Sequence, residues 1–359
     1  MEFFGSSYIN AGRQPELDWA RGLAVFFMVT IHIAEELSGF PPGLFSHILV
    51  ITGGPLAAPT FMILLGIGIV YSRNSDAKKL AMRGLSLFIL HYALNFTSFG
   101  IPLLIMYAKT ANTMYLNEFF INVFGIDILA FAGLTFLIFA LKEKLRLKNI
   151  HLVVFTLVLS CLNLILTNPI DNIYLGAFLG LFVRVNEYSY FPLLSWIGYP
   201  VIGYIVGNLL KTCKDKTLLY KYVFIISILI VASMTLDSFK YSMNIWFMYF
   251  EEPEKYYFQD FFQYFLVSGI VFSWISILYV LSRIKFLEFF GKVLSRWSRN
   301  VTIIYCAQWL IIGWLSILEL IDLPAIAYVV LPAGIVVIIL ADLAAMLYLK
   351  ASASLSKPH

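Results

Sequence analysis

The chain is poor in charge and in cysteine. Only 13% of its 359 residues are Asp, Glu, Lys or Arg, and it has three cysteines. Cys161, Cys213 and Cys306 are widely separated, so they predict neither a disulfide framework nor a CxxC metal site. The sequence also lacks GxxxxGK(S/T), a GxGxxG after a strand, and HExxH. These absences argue against ATP hydrolysis, dinucleotide redox chemistry and zinc catalysis, and we expect no metal and no nucleic-acid partner.

Hydrophobic residues, in contrast, make up 60% of the chain, and the mean hydropathy is +0.85. This composition is typical of an integral membrane protein, and apolar runs close to 20 residues long favour transmembrane helices over barrel strands. The first sixteen residues are polar, so no cleavable signal peptide is expected. We predict an all-α protein with about ten transmembrane helices in one bundle, embedded in a lipid bilayer. The apolar runs fall at about 17–38, 52–72, 84–107, 121–141, 150–167, 190–210, 218–236, 259–281, 300–319 and 325–349.

Ten spans would put both ends of the chain on the same side of the membrane. With the N-terminus in the cytoplasm, all basic residues except Lys109, Arg184, Lys240 and Lys255 lie at the cytoplasmic ends of the spans, as the positive-inside rule requires. We therefore predict that both termini are cytoplasmic and that residues 350–359 form a short cytoplasmic tail. No Ser/Gly-rich linker divides the sequence, so residues 1–359 are expected to form a single domain.

The first apolar run carries charges that an inert anchor would not contain. On a helix, Arg21 and His32 are eleven positions apart, so they share a face and lie about 16 Å from each other along the axis. Asp18 precedes Arg21 by one turn, and Glu35 or Glu36 could reach the His32 imidazole from i+3 or i+4. Ionisable groups inside a span indicate a functional site. The alternative is that His32 only bonds a neighbouring helix and that Asp18 and Arg21 are interfacial anchors.

Three further residues are candidates on the outer side or at membrane depth. His47 lies in the first outer loop and is a second candidate base, although an outer-loop histidine is usually a solvated surface residue. Asp127 is a carboxylate at the outer end of the fourth span. Gln308 lies inside the ninth span, where an amide needs a partner or water.

Basic residues collect at the cytoplasmic ends of the first, second, third and ninth spans. Arg73 and Arg83 flank the turn after the second span, beneath Arg21, and Arg299 and Asn300 precede the ninth span. The positive-inside rule alone explains much of this cluster. The functional alternative is a phosphate site for a nucleotide-type ligand.

A family resemblance rests on five segments that occur in order. The first is RxxxLDxxRGxA over 13–24, followed by His32; the later ones are GGPLAAPTFMILLGIGI, DILAFAGLTFLIFAL, YFPLLSWIGYPVIGYIVGNLL and SRNVTIIYCAQW. Together they resemble the transmembrane acyltransferase superfamily, in the branch similar to heparan-alpha-glucosaminide N-acetyltransferase. The resemblance implies a membrane enzyme that moves an acyl group, usually acetyl, from cytoplasmic acyl-coenzyme A to a sugar amine or hydroxyl on the far side.

The resemblance also implies roles for the residues named above. Arg21, Arg73 and Arg83, with Arg299 and Asn300, would hold the coenzyme A phosphates. His32 would be the general base or, as an alternative, a nucleophile that forms an acyl-imidazole, and Glu35 or Glu36 would orient it. Asp18 would pair with Arg13 or Arg21. His47 corresponds loosely to a catalytic histidine that some members place in the first outer loop, and Asp127 and Gln308 would contact the acceptor.

Two departures bear on the substrate and not on the fold. Gln308 stands where many relatives have histidine, and Ser195 interrupts a pattern that often has proline before the tryptophan. The alternative function from another class is a secondary transporter or lipid-linked sugar flippase that uses the same intramembrane charges. The sequence favours a bacterial cytoplasmic membrane as the location, and it leaves a homo-oligomer open.

Overall fold

A computed structural model describes residues 3–5, 8–73, 75–166, 170, 172–184, 189–240, 256–257, 259 and 261–355. This part of the chain is helical throughout and contains no strand, apart from the isolated bridges Phe4 to Cys213 and Ile126 to Ser189. The prediction of an all-α protein is therefore confirmed. The helices that we number are α1 Pro15–Ile33, α2 Leu44–Gly53, α3 Ala58–Tyr71, α4 Ala77–Asn95, α5 Ile101–Thr110, α6 Met114–Phe124, α7 Ile128–Lys144, α8 Asn149–Ile165, α9 Ile173–Gly180, α10 Leu193–Trp196, α11 Gly198–Thr212, α12 Lys216–Lys240, α13 Phe261–Leu281, α14 Glu288–Arg299, α15 Val301–Ile317 and α16 Ala327–Leu355.

Seven helical segments in the described residues are long and apolar enough to cross a membrane. A further pair, α14 with α15, qualifies only as one broken span, because it bends by 80° at Asn300. The predicted spans at 121–141, 150–167 and 300–319 correspond to α7, α8 and α15, which are 17 residues long each. The count of ten and the side of each terminus remain predictions. The seven segments are Pro15–Ser38, Leu44–Tyr71, Ala77–Thr110, Leu193–Thr212, Lys216–Leu236, Phe261–Leu281 and Ala327–Ser354.

The structure divides the fourth predicted span into two helices. We expected one helix over 121–141, but α6 ends at Phe124 and α7 begins at Ile128. The break arises because the Asp127 carboxylate accepts hydrogen bonds from the backbone N–H groups of Leu129 (2.8 Å) and Ala130 (3.3 Å), which caps the new helix. The position of Asp127 is thus fixed by the start of α7.

Helix α1 is the centre of the bundle and packs against α2, α3, α13, α14, α15 and α16. Its closest approach to α14 is at Gly22, where an added Cβ would lie 2.4 Å from the carbonyl oxygen of Leu294. A second close approach joins α3 to α11, because a Cβ on Gly66 would lie 1.9 Å from the carbonyl oxygen of Pro200. Small residues in the second span therefore permit close helix packing.

Candidate active site

A cavity of about 670 Å³ lies at the C-terminal end of α1. Its polar wall contains the side chains of His32, Glu35, Glu36, His47, Asn95 and Asp127. Its aromatic wall contains Phe61, Tyr190, Phe191, Tyr256, Tyr257, Tyr305 and Trp309. Three carboxylates and two imidazoles thus face one space of a size that ordinarily holds a small-molecule ligand.

His32 is held in the cavity wall by two residues of α15. The amide of Gln308 lies beside the imidazole, with its Oε1 atom 3.2 Å and its Nε2 atom 3.1 Å from Nδ1. The indole of Trp309 packs on the same ring, with the ring centroids 4.2 Å apart. Gln308 is fully buried. The hydrogen bond at Nδ1 fixes the orientation of the ring and leaves Nε2 as the nitrogen for proton transfer.

The contact that we expected between His32 and a glutamate is not formed among the described residues. Helix α1 changes to a π-helix over Ala34–Ser38, and this wider turn rotates Glu35 and Glu36 away from the α-helical i+3 and i+4 positions. Both side chains are exposed to the cavity instead. The His32 imidazole is oriented by Gln308, which we expected to contact the acceptor, and not by Glu35 or Glu36.

The structure also corrects the position of His47. We expected it in a loop, but it lies in the first turns of α2, where its Nδ1 atom is 3.1 Å from the carbonyl oxygen of Gly43. The side chain is exposed and lines the same cavity as His32. Both candidate bases therefore face the same space.

A second polar network forms around Asp127. The Nδ1–H group of His91 donates to Oδ1 at 2.7 Å, and the Tyr305 hydroxyl donates to Oδ2 at 2.8 Å. His91 is completely buried on α4, and its Nε2 atom has no hydrogen-bond partner in the part of the chain that the structure describes. The sequence alone did not connect His91 to Asp127 or to Tyr305.

Helix α15 connects the two networks. Tyr305, Gln308 and Trp309 are spaced at i, i+3 and i+4, so they lie on one face of the helix. Through this face α15 contacts both His32 and Asp127. One helix thus determines the separation between a candidate base and a cavity carboxylate.

The opposite end of α1 carries a separate charged network. Arg13 forms an ion pair with Asp18, as predicted, and the Ser298 hydroxyl donates to Asp18 at 2.9 Å. Arg21 donates to the Ser298 hydroxyl and to the carbonyl oxygen of Leu64, both at 3.3 Å. We call these residues, Arg13, Asp18, Arg21 and Ser298, the charged mouth.

The other predicted phosphate-binding residues lie around this end of the bundle. Arg73 is exposed after the end of α3, and Arg83 is exposed on α4, 4.5 Å above the ring centroid of Phe136. Arg299 is exposed at the last position of α14, and Asn300 forms the bend to α15. Neither these four residues nor Arg21 line the cavity around His32.

Comparison with known families agrees with this arrangement. Residues 13–223, more than half of the chain, match the model of the family described as heparan-alpha-glucosaminide N-acetyltransferase, catalytic. The match begins at Arg13 in the charged mouth, includes His32, His47 and Asp127, and ends before α15. No curated protein matches the chain. With the charged first helix and the cavity beside it, this match shows that the chain belongs to the catalytic-domain family of heparan-alpha-glucosaminide N-acetyltransferase.

Proposed function

We propose that this protein transfers an acetyl group from acetyl-coenzyme A on the cytoplasmic side of the membrane to an amine or hydroxyl of a sugar or glycolipid on the outer side. The proposal is carried by one observation: His32, on the same helix as Asp18 and Arg21 of the charged mouth, is oriented by Gln308 in the wall of a ligand-sized cavity. We further propose that the protein is located in a bacterial cytoplasmic membrane.

The donor is a substrate whose phosphates need cationic partners. Arg21 uses guanidinium N–H groups toward Ser298 and Leu64, and a guanidinium has five N–H donors in total, so others remain for phosphate oxygens. Arg73, Arg83 and Arg299 are exposed at the same end of the bundle, and Asn300 adds an amide. Arg21 and His32 are about 16 Å apart along α1, a distance that the extended arm of coenzyme A would cover.

In the proposed reaction His32 acts as a general base. Its Nε2 atom accepts the proton of the acceptor N–H or O–H group while that nitrogen or oxygen attacks the thioester carbonyl carbon. The new C–N or C–O bond forms as the C–S bond breaks, and the coenzyme A thiolate takes up the proton that the imidazole holds. His47 faces the same cavity and is the second candidate base.

The acceptor would occupy the outer part of the cavity. Aromatic rings such as Tyr190, Tyr256 and Tyr257 suit contact with the apolar faces of a sugar, and Glu35, Glu36 and Asp127 offer carboxylate oxygens to its hydroxyl or ammonium groups. Asp127 is the best fixed of the three, because His91, Tyr305 and two backbone N–H groups hold it. We propose it as the anchor of the acceptor.

The test is transfer of radiolabelled acetyl from acetyl-coenzyme A to an amino sugar by the protein in lipid nanodiscs. Wild type should form N- or O-acetyl product, whereas His32→Ala should lose about 10²-fold or more of the rate if the imidazole is the base. His151→Ala is the matched control, because His151 is an exposed histidine on α8 that does not line the cavity. Sugar flux across a bilayer without consumption of thioester would overturn the proposal and support a transporter.

A further inference from the structure

Helix α14 and the 3₁₀ turn before it, Lys285–Leu287, have an apolar surface that no other described helix covers. Phe286, Phe289 and Phe290 have 86%, 73% and 59% of their surface exposed. Three large, strongly exposed aromatic side chains in so short a segment form an apolar patch, and such patches mark contact sites for a membrane or a protein. The segment therefore needs an apolar neighbour outside the described residues of the chain.

The residues of α14 divide into three faces when they are placed at 100° intervals. Gly291, Leu294 and Ser298 are buried against α1. Phe290, Val293 and Trp297 form an apolar face beside them, and Phe289 lies at the edge of this face, between Val293 and Arg296. Glu288, Lys292 and Arg299 form the charged face.

The bend at Asn300 sets the direction of the α14 axis relative to α15. Helix α15 is apolar and 17 residues long, and α14 meets it at 80°. If α15 crosses the bilayer, α14 must run nearly parallel to the membrane surface. A helix that lies along the membrane surface is most stable when its apolar residues face the acyl chains and its charged residues face the headgroups and water, which is the arrangement of an interfacial helix.

The charge of this segment is net positive. Lys285, Lys292 and Arg299 outnumber Glu288, and Arg296 is paired with Asp342 of α16. Glu288 pairs with Lys292 at 2.9 Å, but both side chains are about 70% exposed, so the pair contributes little and is screened by salt. Lys285 is exposed and available to an anion at the headgroup level, whereas Arg299 is left to the proposed donor site.

We propose that the segment 285–299 is a membrane-surface helix whose partner is the layer of anionic phospholipid headgroups, with Phe286, Phe289 and Phe290 inserted among the acyl chains. The inference does not depend on the acetyltransferase proposal. It has a structural consequence, because Ser298 on this helix bonds Asp18 and accepts from Arg21. Lipid that holds α14 in place therefore also holds the charged mouth.

The first test measures the depth of α14 in nanodiscs. Single cysteines would replace Phe290, on the apolar face, or Lys292, on the charged face, in the full chain with Cys161→Ala, because Cys161 is exposed and Cys213 is buried. Each is labelled with an environment-sensitive fluorophore, and the unmodified C161A protein gives the background from Cys306. Lipids brominated on the acyl chain should quench the probe at 290 at least twice as strongly as the probe at 292. Equal quenching, or stronger quenching of both probes by aqueous iodide, would overturn the proposal.

The second test measures headgroup preference by thermal shift of the detergent-purified protein. Short-chain phosphatidylglycerol should stabilise wild type at lower concentration than phosphatidylcholine of the same chain length. Lys285→Gln with Lys292→Gln should raise the midpoint concentration by about fivefold per charge removed. Lys144→Gln with Lys148→Gln is the matched control, since both lysines are exposed on another turn at the predicted cytoplasmic side.

Three results would refute anionic headgroup binding. One is equal stabilisation by both lipids, and another is an equal effect of the two double variants. The third is full stabilisation of wild type by inorganic phosphate alone, which would make the basic face a site for free anions. A double variant that fails to fold is replaced by Lys285→Gln alone, which leaves the Glu288–Lys292 pair intact.

Discussion

Gln308 hydrogen-bonds the imidazole of His32 from a helix that lies 276 residues further along the chain. The amide is fully buried, and the neighbouring Trp309 packs on the same ring. In the proposed reaction Gln308 is a positioning residue: it selects which ring nitrogen is available, although it does not line the cavity.

Gln308→Ala should lower kcat for acetyl transfer by about 10- to 100-fold, because loss of one buried hydrogen bond costs about 1–3 kcal/mol. The KM for acetyl-coenzyme A should change less than twofold, since the charged mouth is untouched. Steady-state kinetics in nanodiscs checks both values. Cys306→Ala, on the same helix, should retain wild-type kcat, and an equal loss in that variant would show that the effect comes from disturbed packing of α15.

The Asp127 network should be important for stability as well as for acceptor binding. Asp127→Ala removes the acceptor for His91, Tyr305 and two backbone N–H groups, and we expect it to destabilise the protein by about 3 kcal/mol or more. Tyr305→Phe removes one of these bonds and should cost about 1 kcal/mol. Thermal unfolding in detergent should rank the proteins as wild type, Tyr305→Phe, Asp127→Ala. A midpoint for Asp127→Ala equal to wild type would contradict the network.

Because α1 packs closely on α14, we expect that a single methyl group added at Gly22 destabilises the protein. Gly22→Ala would place Cβ 2.4 Å from the carbonyl oxygen of Leu294, a backbone atom, so the two helices must separate. We expect a loss of about 1–3 kcal/mol, the usual cost of overpacking. The matched control is Gly68→Ala on α3, where no atom lies within 4 Å of the added Cβ and where alanine favours a helix. Equal unfolding temperatures for the two variants would show that α1 and α14 are not in such close contact.

Arg21→Ala should weaken binding of acetyl-coenzyme A at least about tenfold if its guanidinium holds a phosphate, because a charge-assisted hydrogen bond contributes roughly 1.5–3 kcal/mol. His32→Ala should bind the donor as wild type does. Calorimetry on the detergent-purified protein measures both affinities. Arg146→Ala removes an exposed arginine from the turn after α7 and controls for net charge. Weakening by Arg146→Ala to the same extent would indicate a general charge effect and no phosphate site at Arg21.

The sequence was sufficient for the features that depend on local pattern. Apolar runs of near 20 residues located most of the helices, and the 3.6-residue period correctly assigned Arg21 and His32 to one helix. The family resemblance implied that Asp18 pairs with Arg13 or Arg21, and the structure forms the ion pair with Arg13.

The remaining features depend on contacts between distant segments or on small changes of backbone geometry. Nothing local links Gln308 to His32 or His91 to Asp127, because each pair forms only when two helices pack. The π-helix at Ala34–Ser38 moves Glu35 and Glu36 away from His32, and these five residues include no Gly or Pro that would have indicated a change of helix type. The start of α7 was hidden in a continuous apolar run, where Asp127 was the only polar signal for a cap.

Because α14 and α15 meet at an angle of 80° at Asn300, a tilt of α14 that keeps this angle also tilts α15. Gln308 lies eight residues beyond Asn300, about 12 Å along α15, so a tilt of only about 5° displaces its amide by about 1 Å. That displacement is enough to break a hydrogen bond to His32. The tilt of α14 therefore controls the alignment of the His32 imidazole, which Gln308 orients from α15.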